Sequence, residues 1–467
     1  MLKIFTGIFA SCLFSHALGA SQTLSTKIDA LIAQRLPHAQ IGILVKDAQT
    51  GQTIYSREAD KLYAPGSGTK LFTAAAALYH LKPDYTIFTS LAQKDKDVYI
   101  TFNGSPSLTI DNLNKLVSYL DMKTIDGDII LDSTRFKAPY YASGNSYDDL
   151  GWYYTAPVTA VILNENAADF KVISAKELGL PVQIVPEKAD AGISISSQVI
   201  AISNEYDEDC RVNIDIKPHN TLRLYGCFAE YKQPKFIHLA ITDPLFLAKQ
   251  IVSNALDKQG IVLKGSIRSG KTPADARVIS RFRSKNLIQL ITHMLQESDN
   301  LYADSLYKQL AYSVTGEGSF IKGAFAMKKI LEQYTHLDTN QLVLTDGAGT
   351  RYNLVTPEQM VVLLEGLYKD NNMRPIFLKA LPQSGVSGTL KDRMKKTALE
   401  KNVFAKTGSL HDISSLSGYI IQPGSHPLIF SIIINGINTP LGTAKSLEDQ
   451  LLLLIVSAPD HQLEIKK

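Results

Sequence analysis

The sequence predicts an α+β protein, an antiparallel sheet flanked by helices and interrupted early by a long β-rich insertion. Three observations carry this. A run of strong helix formers from Lys70 to Leu81 follows two strand-like segments. Residues 89–277 change to short alternating runs and turns. Three alternating segments near the C-terminus then lead into a closing apolar helix. At 467 residues and 45% apolar composition, the chain exceeds what one hydrophobic core fills, so two or three packed regions are expected.

Taken in order, the N-terminus has Lys3, an apolar stretch and small residues at Gly19 and Ala20. That is the layout of a cleaved secretory signal over residues 1–20, with a mature start near Ser21. Its apolar run is too short for a membrane span, and the "FAS" before Cys12 suits a lipidation box only loosely. Residues 22–36 carry a helical apolar pattern, and "IGILVKDAQTGQTIYS" reads as two strands turning at Asp47 to Gly51. The helix from Lys70 puts Ser67 in its first turn. The β-rich region contains one expected helix, near "DNLNKLVSYL". It also holds Cys210 and Cys227, which flank two alternating runs joined by a polar turn. In an exported chain such a pair reads as a disulfide across a hairpin, the alternative being two buried thiols.

Helical texture resumes with "SKNLIQLITHMLQESDNLYADSLYKQLAYSV". A further helix is announced by Thr356 as cap, Pro357 at the first helical position and Gln359 completing a capping box. "VFAKTGSL", "SLSGYIIQ" and "PLIFSIIING" read as consecutive antiparallel strands, and "SLEDQLLLLIVSA" as the closing helix.

Several function classes are disfavoured. With 48 basic and 45 acidic residues and a net charge of +3, no basic track for nucleic acid is present. No Cys or His cluster has metal-ligand spacing, so neither a metal nor a cofactor is expected. "GSIRSGKT", from Gly265 to Thr272, matches a phosphate loop formally. However, Pro273 and strand-like residues follow where a phosphate-capping helix would have to run.

"APGSGTKLF", from Ala64 to Phe72, lacks the residue order of a phosphate loop but contains Ser67-x-x-Lys70. Residues i and i+3 share a helix face, so the lysine amine can reach the serine hydroxyl and serve as its base once desolvated. Alone this spacing means little. Two further triplets, Ser298-Asp299-Asn300 in the long helical region and Lys406-Thr407-Gly408 on a strand, follow in the chain order of penicillin-binding proteins and class A β-lactamases.

The sequence resembles the class C low-molecular-mass penicillin-binding proteins, the D-alanyl-D-alanine carboxypeptidase/endopeptidase family, over essentially the whole mature chain. Beyond the three motifs, the resemblance rests on "DSTRF" leading to "YDDLGWYYTAPVTAVILNEN", on "TDGAGTRYNLVTP", and on "LPQSGVSGTLKDRM". The hairpin of Cys210 and Cys227 has a counterpart in some members. The resemblance implies a transpeptidase-like domain over 21–88 and 278–467. Residues 89–277 would form two small inserted domains, the inner one at about 166–244. "DGAGTR" is one residue shorter than the family's usual segment, which leaves the counterpart of Arg351 less defined.

The implied chemistry is acyl transfer through Ser67, with neutral Lys70 as base, although sequence alone does not decide which lysine acts so. Backbone N–H groups of Ser67 and Ser409 would hold the oxyanion. Ser298 and Lys406 would pass a proton to the leaving amine, Asn300 would bind the substrate amide, and Lys406, Thr407 and Gly408 would face the terminal carboxylate. Asp149, Tyr154, Arg351 and His411 are the expected neighbours of a diaminopimelate side chain. The implied partners are peptidoglycan peptides, with β-lactams as covalent inhibitors, in the periplasm. Peripheral membrane association is left open. The rival readings are a β-lactamase and a non-catalytic module that binds cell-wall peptide.

Overall fold

The computed structural model describes residues 23–458 except 189–190, 204–209, 230–234 and 336. The expected signal segment, with Cys12, lies outside the described residues. The late strands and the two early ones form one five-stranded antiparallel sheet in the order Val403–Leu410, Ile413–Ile420, Leu428–Asn435, Gln40–Asp47, Thr53–Arg57. Chain beginning and chain end therefore meet at its centre, where Gln40 pairs with Asn435 and Asp47 with Leu428. The two-residue period sorts these side chains to two faces. Ile41, Ile43 and Val45, with Phe430, Ile432 and Ile434, pack under the helices Leu24–Arg35 and Leu441–Val456. Leu44, Ile429 and Ile433 face the opposite core.

That second core is built on helix Lys70–Leu81, whose residues Lys70 to Tyr79 are all buried. Four consecutive alanines, Ala74 to Ala77, have no exposed surface. Their small side chains let helices Leu287–Gln296, Asn300–Thr315, Phe320–Thr335 and Pro357–Lys369 crowd around it. The expected caps form. Thr356 Oγ1 accepts from Gln359 N while the Gln359 side chain accepts from Thr356 N, each at 3.0 Å.

Between these halves lie two further cores. One surrounds a mixed sheet ordered Ile267–Ser269, Ile129–Asp132, Asp97–Thr101, Phe88–Lys94, Arg277–Arg283. The other lies among two three-stranded sheets formed from strands between Ala167 and Ala240. Cys210 and Cys227 are disulfide-bonded across the hairpin of Val212–Lys217 and Thr221–Ala229.

One expectation needs correction, because the β-rich region carries a second helix, Pro244–Gln259, besides Ile110–Val117. Its signals are conventional: Asp243 caps Phe246 N, Pro244 opens it and left-handed Gly260 ends it. The formal phosphate-loop match is a strand edge. Ile267–Ser269 pairs with Ile129–Leu131, and the Asp132 carboxylate accepts from Thr272 N at 2.7 Å, putting an anion where a phosphate would have to sit.

Candidate active site

Residues Gly66–Thr69 form one 3-10 turn leading into the buried helix. Gly66 has φ +51 and Gly349 has φ +102. A side chain on Gly349 would meet the Gly66 carbonyl, so two backbones touch directly behind the nucleophile. The strand carrying Lys406 presses on the other side. Ser415 Oγ donates to Pro65 O at 2.7 Å, and a Cβ on Gly408 would run into that same carbonyl. This strand is the sheet's edge. Because Ala405 N donates outward to Pro382 O, the two-residue alternation points the N–H groups of Thr407 and Ser409 outward too. Ser409 N lies 3.3 Å from where a Gly66 side chain would begin.

Ser67 is half-buried and Lys70 fully buried. The Lys70 amine lies 2.9 Å from Ser67 Oγ, 2.7 Å from Asn300 Oδ1 and 2.8 Å from Ala348 O. Burial lowers its pKa to about 8, against the opposing pull of Asp304, Asp299 and Asp346. Asp304 is itself buried and pushed up to about 8, by burial and then by Asp346. It accepts from Gly347 N and Ala348 N, at 2.7 and 3.1 Å, and so holds the backbone whose carbonyl meets Lys70. Asp346 accepts from Ala348 N, Gly349 N and Thr350 N in turn, which folds "DGAGTR" into a tight anion-centred loop.

Ser298 sits at φ +59, a left-handed position uncommon for serine, immediately before helix Asn300–Thr315. The strain turns its hydroxyl to within 2.9 Å of the Lys406 amine, which also donates to Thr407 O at 2.8 Å. Lys406 has no exposed surface, and burial followed by the nearby Lys70 charge pushes its pKa well below the ordinary value. Asn300 Oδ1 meets Lys70 while its Nδ2 donates to Tyr154 O at 2.8 Å. Both ends of the amide expected to receive substrate are thus engaged within the protein, and its contact with Tyr154 joins the second motif to the inserted segment.

A cleft of about 450 Å³ opens above Ser67, walled by Ser298, Asn300, Asp149, Tyr154, Arg351 and His411, with Ser409 at its edge. The Tyr154 hydroxyl donates to Asp149 Oδ1 at 2.9 Å. Arg351 Nη1 donates to Asp412 Oδ1 at 2.9 Å, so the arginine expected to be open for a substrate carboxylate already has a partner. His411 occupies the exposed turn between Val403–Leu410 and Ile413–Ile420. Thr407 Oγ1 donates to Thr389 Oγ1 at 2.8 Å.

The sequence reading missed the acids around the lysines. Asp304 follows Asn300 by one helical turn and shares its face, a spacing that could have revealed it. Glu165, His293 and Asp299 come together behind the second motif, with His293 Nε2 3.3 Å from Asp299 Oδ2 and 3.5 Å from Glu165 Oε1. The hydrogen bond to Asp299 raises the pKa of His293, burial opposing it, and the charges of Asp299 and Glu165 favour its protonated form.

A profile of the D-Ala-D-Ala carboxypeptidase 3 (S13) family matches residues 24–454. The chain is 28% identical over 425 residues to the D-alanyl-D-alanine carboxypeptidase DacB of Haemophilus influenzae, covering 87% of this chain and 88% of the relative. It is 29% identical over 481 residues to a D-alanyl-D-alanine carboxypeptidase of an Actinomadura species, covering 97% and 88%. The crystal structure of penicillin-binding protein 4 from Haemophilus influenzae superposes with a TM-score of 0.83 at 27% identity, covering 91% of this chain and 98% of that one. The same protein complexed with a β-lactam gives 0.79 at 26% identity, over 91% and 98%.

Proposed function

The chain belongs to the D-Ala-D-Ala carboxypeptidase 3 (S13) family, and on that footing we propose how its own residues perform the reaction. It is a serine-type, penicillin-binding D-Ala-D-Ala carboxypeptidase/endopeptidase acting on peptidoglycan stem peptides. One observation carries the assignment of roles, the three-way environment of Lys70. A neutral amine has two N–H groups and one lone pair. Asn300 Oδ1 and Ala348 O can take the two N–H groups, leaving the lone pair on the Ser67 hydroxyl. Ser67 Oγ then attacks the carbonyl carbon of a D-Ala–D-Ala or cross-link bond while its proton passes to Lys70. The N–H groups of Ser67 and Ser409 hold the oxyanion. The C–N bond breaks as the leaving amine takes the proton that Lys70 received, relayed through Ser298 and Lys406. Water then attacks the ester, giving its proton through Lys70 to Ser67 Oγ, which leaves as the hydroxyl. A β-lactam acylates the same oxygen and hydrolyses slowly.

Thr407 and Gly408, on the edge strand of the sheet, would face the substrate's terminal carboxylate, Thr407 through its outward N–H and Gly408 by leaving room beside Pro65. Asp149, held by Tyr154, would meet the free amine of a diaminopimelate side chain. Arg351, with one of its nitrogens on Asp412, keeps N–H groups for that side chain's carboxylate, and His411 completes the wall. Asp149→Ala should lower turnover of diaminopimelate peptides by about 1 to 3 kcal/mol, tenfold or more, with simple D-Ala-D-Ala mimics little changed. Equal losses on both substrates would refute that role.

The distinct cores support two inserted domains between the halves of a catalytic domain, as expected for 89–277 within 21–88 and 278–467, the inner one about 166–244. The pairing of Arg277–Arg283 with Phe88–Lys94 argues for a return to the catalytic domain only after residue 283, and Phe136, Ala142 and Val158 pack into the catalytic core. Export to the periplasm by the N-terminal signal fits the Cys210–Cys227 bond. Among the described residues no helix is long and apolar enough to cross a membrane.

A further inference from the structure

The buried lysine that the proposed chemistry leaves idle is Lys308. It lies two turns beyond Asn300 on helix Asn300–Thr315 and has no exposed surface. Its amine makes no ion pair within 4 Å among the described residues. It donates instead to three backbone carbonyls, Val158 O at 3.0 Å, Pro139 O at 3.0 Å and Lys137 O at 3.2 Å. It also lies 4.4 Å from the Phe320 ring centre and 5.3 Å from that of Tyr140. Three donors and three acceptors match completely, which is what a buried ammonium requires. Burial lowers its pKa to about 8 while Asp304, one turn earlier, pulls it back up.

Those three carbonyls lie at the neck of a single loop. Lys137 and Pro139 lead into it and Val158 leads out, with Val158 N donating to Tyr140 O at 2.8 Å across the neck. Between them runs the cleft wall with Asp149, Tyr153 and Tyr154. The loop has its own brace, Thr155 Oγ1 donating to Asp149 O at 2.7 Å; its returning limb is held by Asn300 Nδ2 on Tyr154 O, and Gly151 O accepts from Ala240 N at 2.8 Å. One helix thus grips the loop twice, on its returning limb through the second motif and at both sides of its neck through Lys308.

We propose that Lys308 is a positioning residue for substrate choice. By clamping the neck of residues 137–158 to the helix of the second motif, it sets where Asp149 and Tyr154 stand relative to the nucleophile. The proposal rests on the reading of Asp149 as the residue that meets the substrate side chain. Helix Asn300–Thr315 keeps Ser298 and Asn300 in place through its own caps and through Ser305, whose Oγ donates to Gly104 O at 2.6 Å. Loss of the Lys308 contacts should therefore release the loop more than the catalytic groups.

The test is Lys308→Met in the full chain, a change that keeps the stem and removes the three donors. Three rates are compared with wild type: acylation by a fluorescent penicillin, hydrolysis of a simple D-Ala-D-Ala peptide, and hydrolysis of its diaminopimelate counterpart. The expected result is penicillin acylation within about threefold of wild type and a tenfold or greater loss of preference for the diaminopimelate peptide, appearing in KM more than kcat. Amide hydrogen exchange should quicken within 140–156 and not in residues 66–81. Should K308M fail to fold, Lys308→Gln, which retains two N–H donors, is measured instead and should show a smaller shift in preference. Unchanged preference with unchanged exchange overturns the proposal, as do equal losses on all three substrates, which would mark a general structural role. Asp149→Ala in the wild-type background separates the two readings. If that variant is selective and K308M is not, the clamp fails alone. If neither is selective, the side-chain reading fails and the clamp with it.

Discussion

Gly349→Ala should damage the nucleophile without touching any catalytic side chain. Gly349 has φ +102, and a Cβ there would lie 1.8 Å from the Gly66 carbonyl oxygen and 3.0 Å from Ser67 N. A carbon and a carbonyl oxygen approach no closer than about 3.3 Å, so the turn holding Ser67 must retreat by about 1.5 Å. A displacement of about 1 Å of a reacting group costs on the order of a hundredfold, about 2.7 kcal/mol of transition-state free energy. Holding alanine at that φ costs about 1 to 3 kcal/mol of stability more. The second-order rate of acylation by a fluorescent penicillin, measured beside a thermal melt, should fall by about two orders of magnitude with a melting temperature lowered by a few degrees. Acylation within threefold of wild type would refute the claim that the contact of the Gly66 and Gly349 backbones fixes the nucleophile.

Three further outcomes follow from the same geometry. Because Lys70 acts as base in its neutral form and burial sets its pKa at about 8, acylation should slow by about tenfold per pH unit below that value, and a rate flat from pH 6 to 8 would contradict it. Lys70→Arg, which cannot be deprotonated at these pH values, should be inactive at every pH, as stopped-flow acylation would reveal. Reducing the Cys210–Cys227 bond, which closes a separation of 17 residues, should lower the stability of the inner inserted region by about 3 kcal/mol. In a melt with and without reductant this should leave penicillin acylation unchanged.

Much of the fold could be read from local chemistry. Thr356, Pro357 and Gln359 announce a helix because capping depends on three adjacent residues. The last strand, Leu428–Asn435, shows because a sheet buried on both faces demands a nearly continuous apolar run. Helix Pro244–Gln259 was overlooked although Asp243, Pro244 and Gly260 bracket it, since the surrounding strand texture masked its weaker apolar stripe. At the site, the three motifs were legible because each keeps its reacting groups within a few residues. What was hidden depends on distance along the chain. Asp346 reaches Lys70 through a loop far beyond helix Lys70–Leu81, Glu165 meets His293 from the inserted region, and Asp412 takes Arg351 from a neighbouring hairpin. Lys308 carries no pattern at all, since its partners are backbone carbonyls, which every residue has.

The central claim is that Ser67, with Lys70 at its hydroxyl, is the group that becomes acylated. Incubating the full chain with penicillin, digesting it and mapping the adduct by mass spectrometry tests it directly. One acyl group is expected, on Ser67, and none in Ser67→Ala, a variant that should fold because the Ser67 side chain caps no helix. An adduct on another residue, or labelling of Ser67→Ala at the wild-type rate, would contradict it.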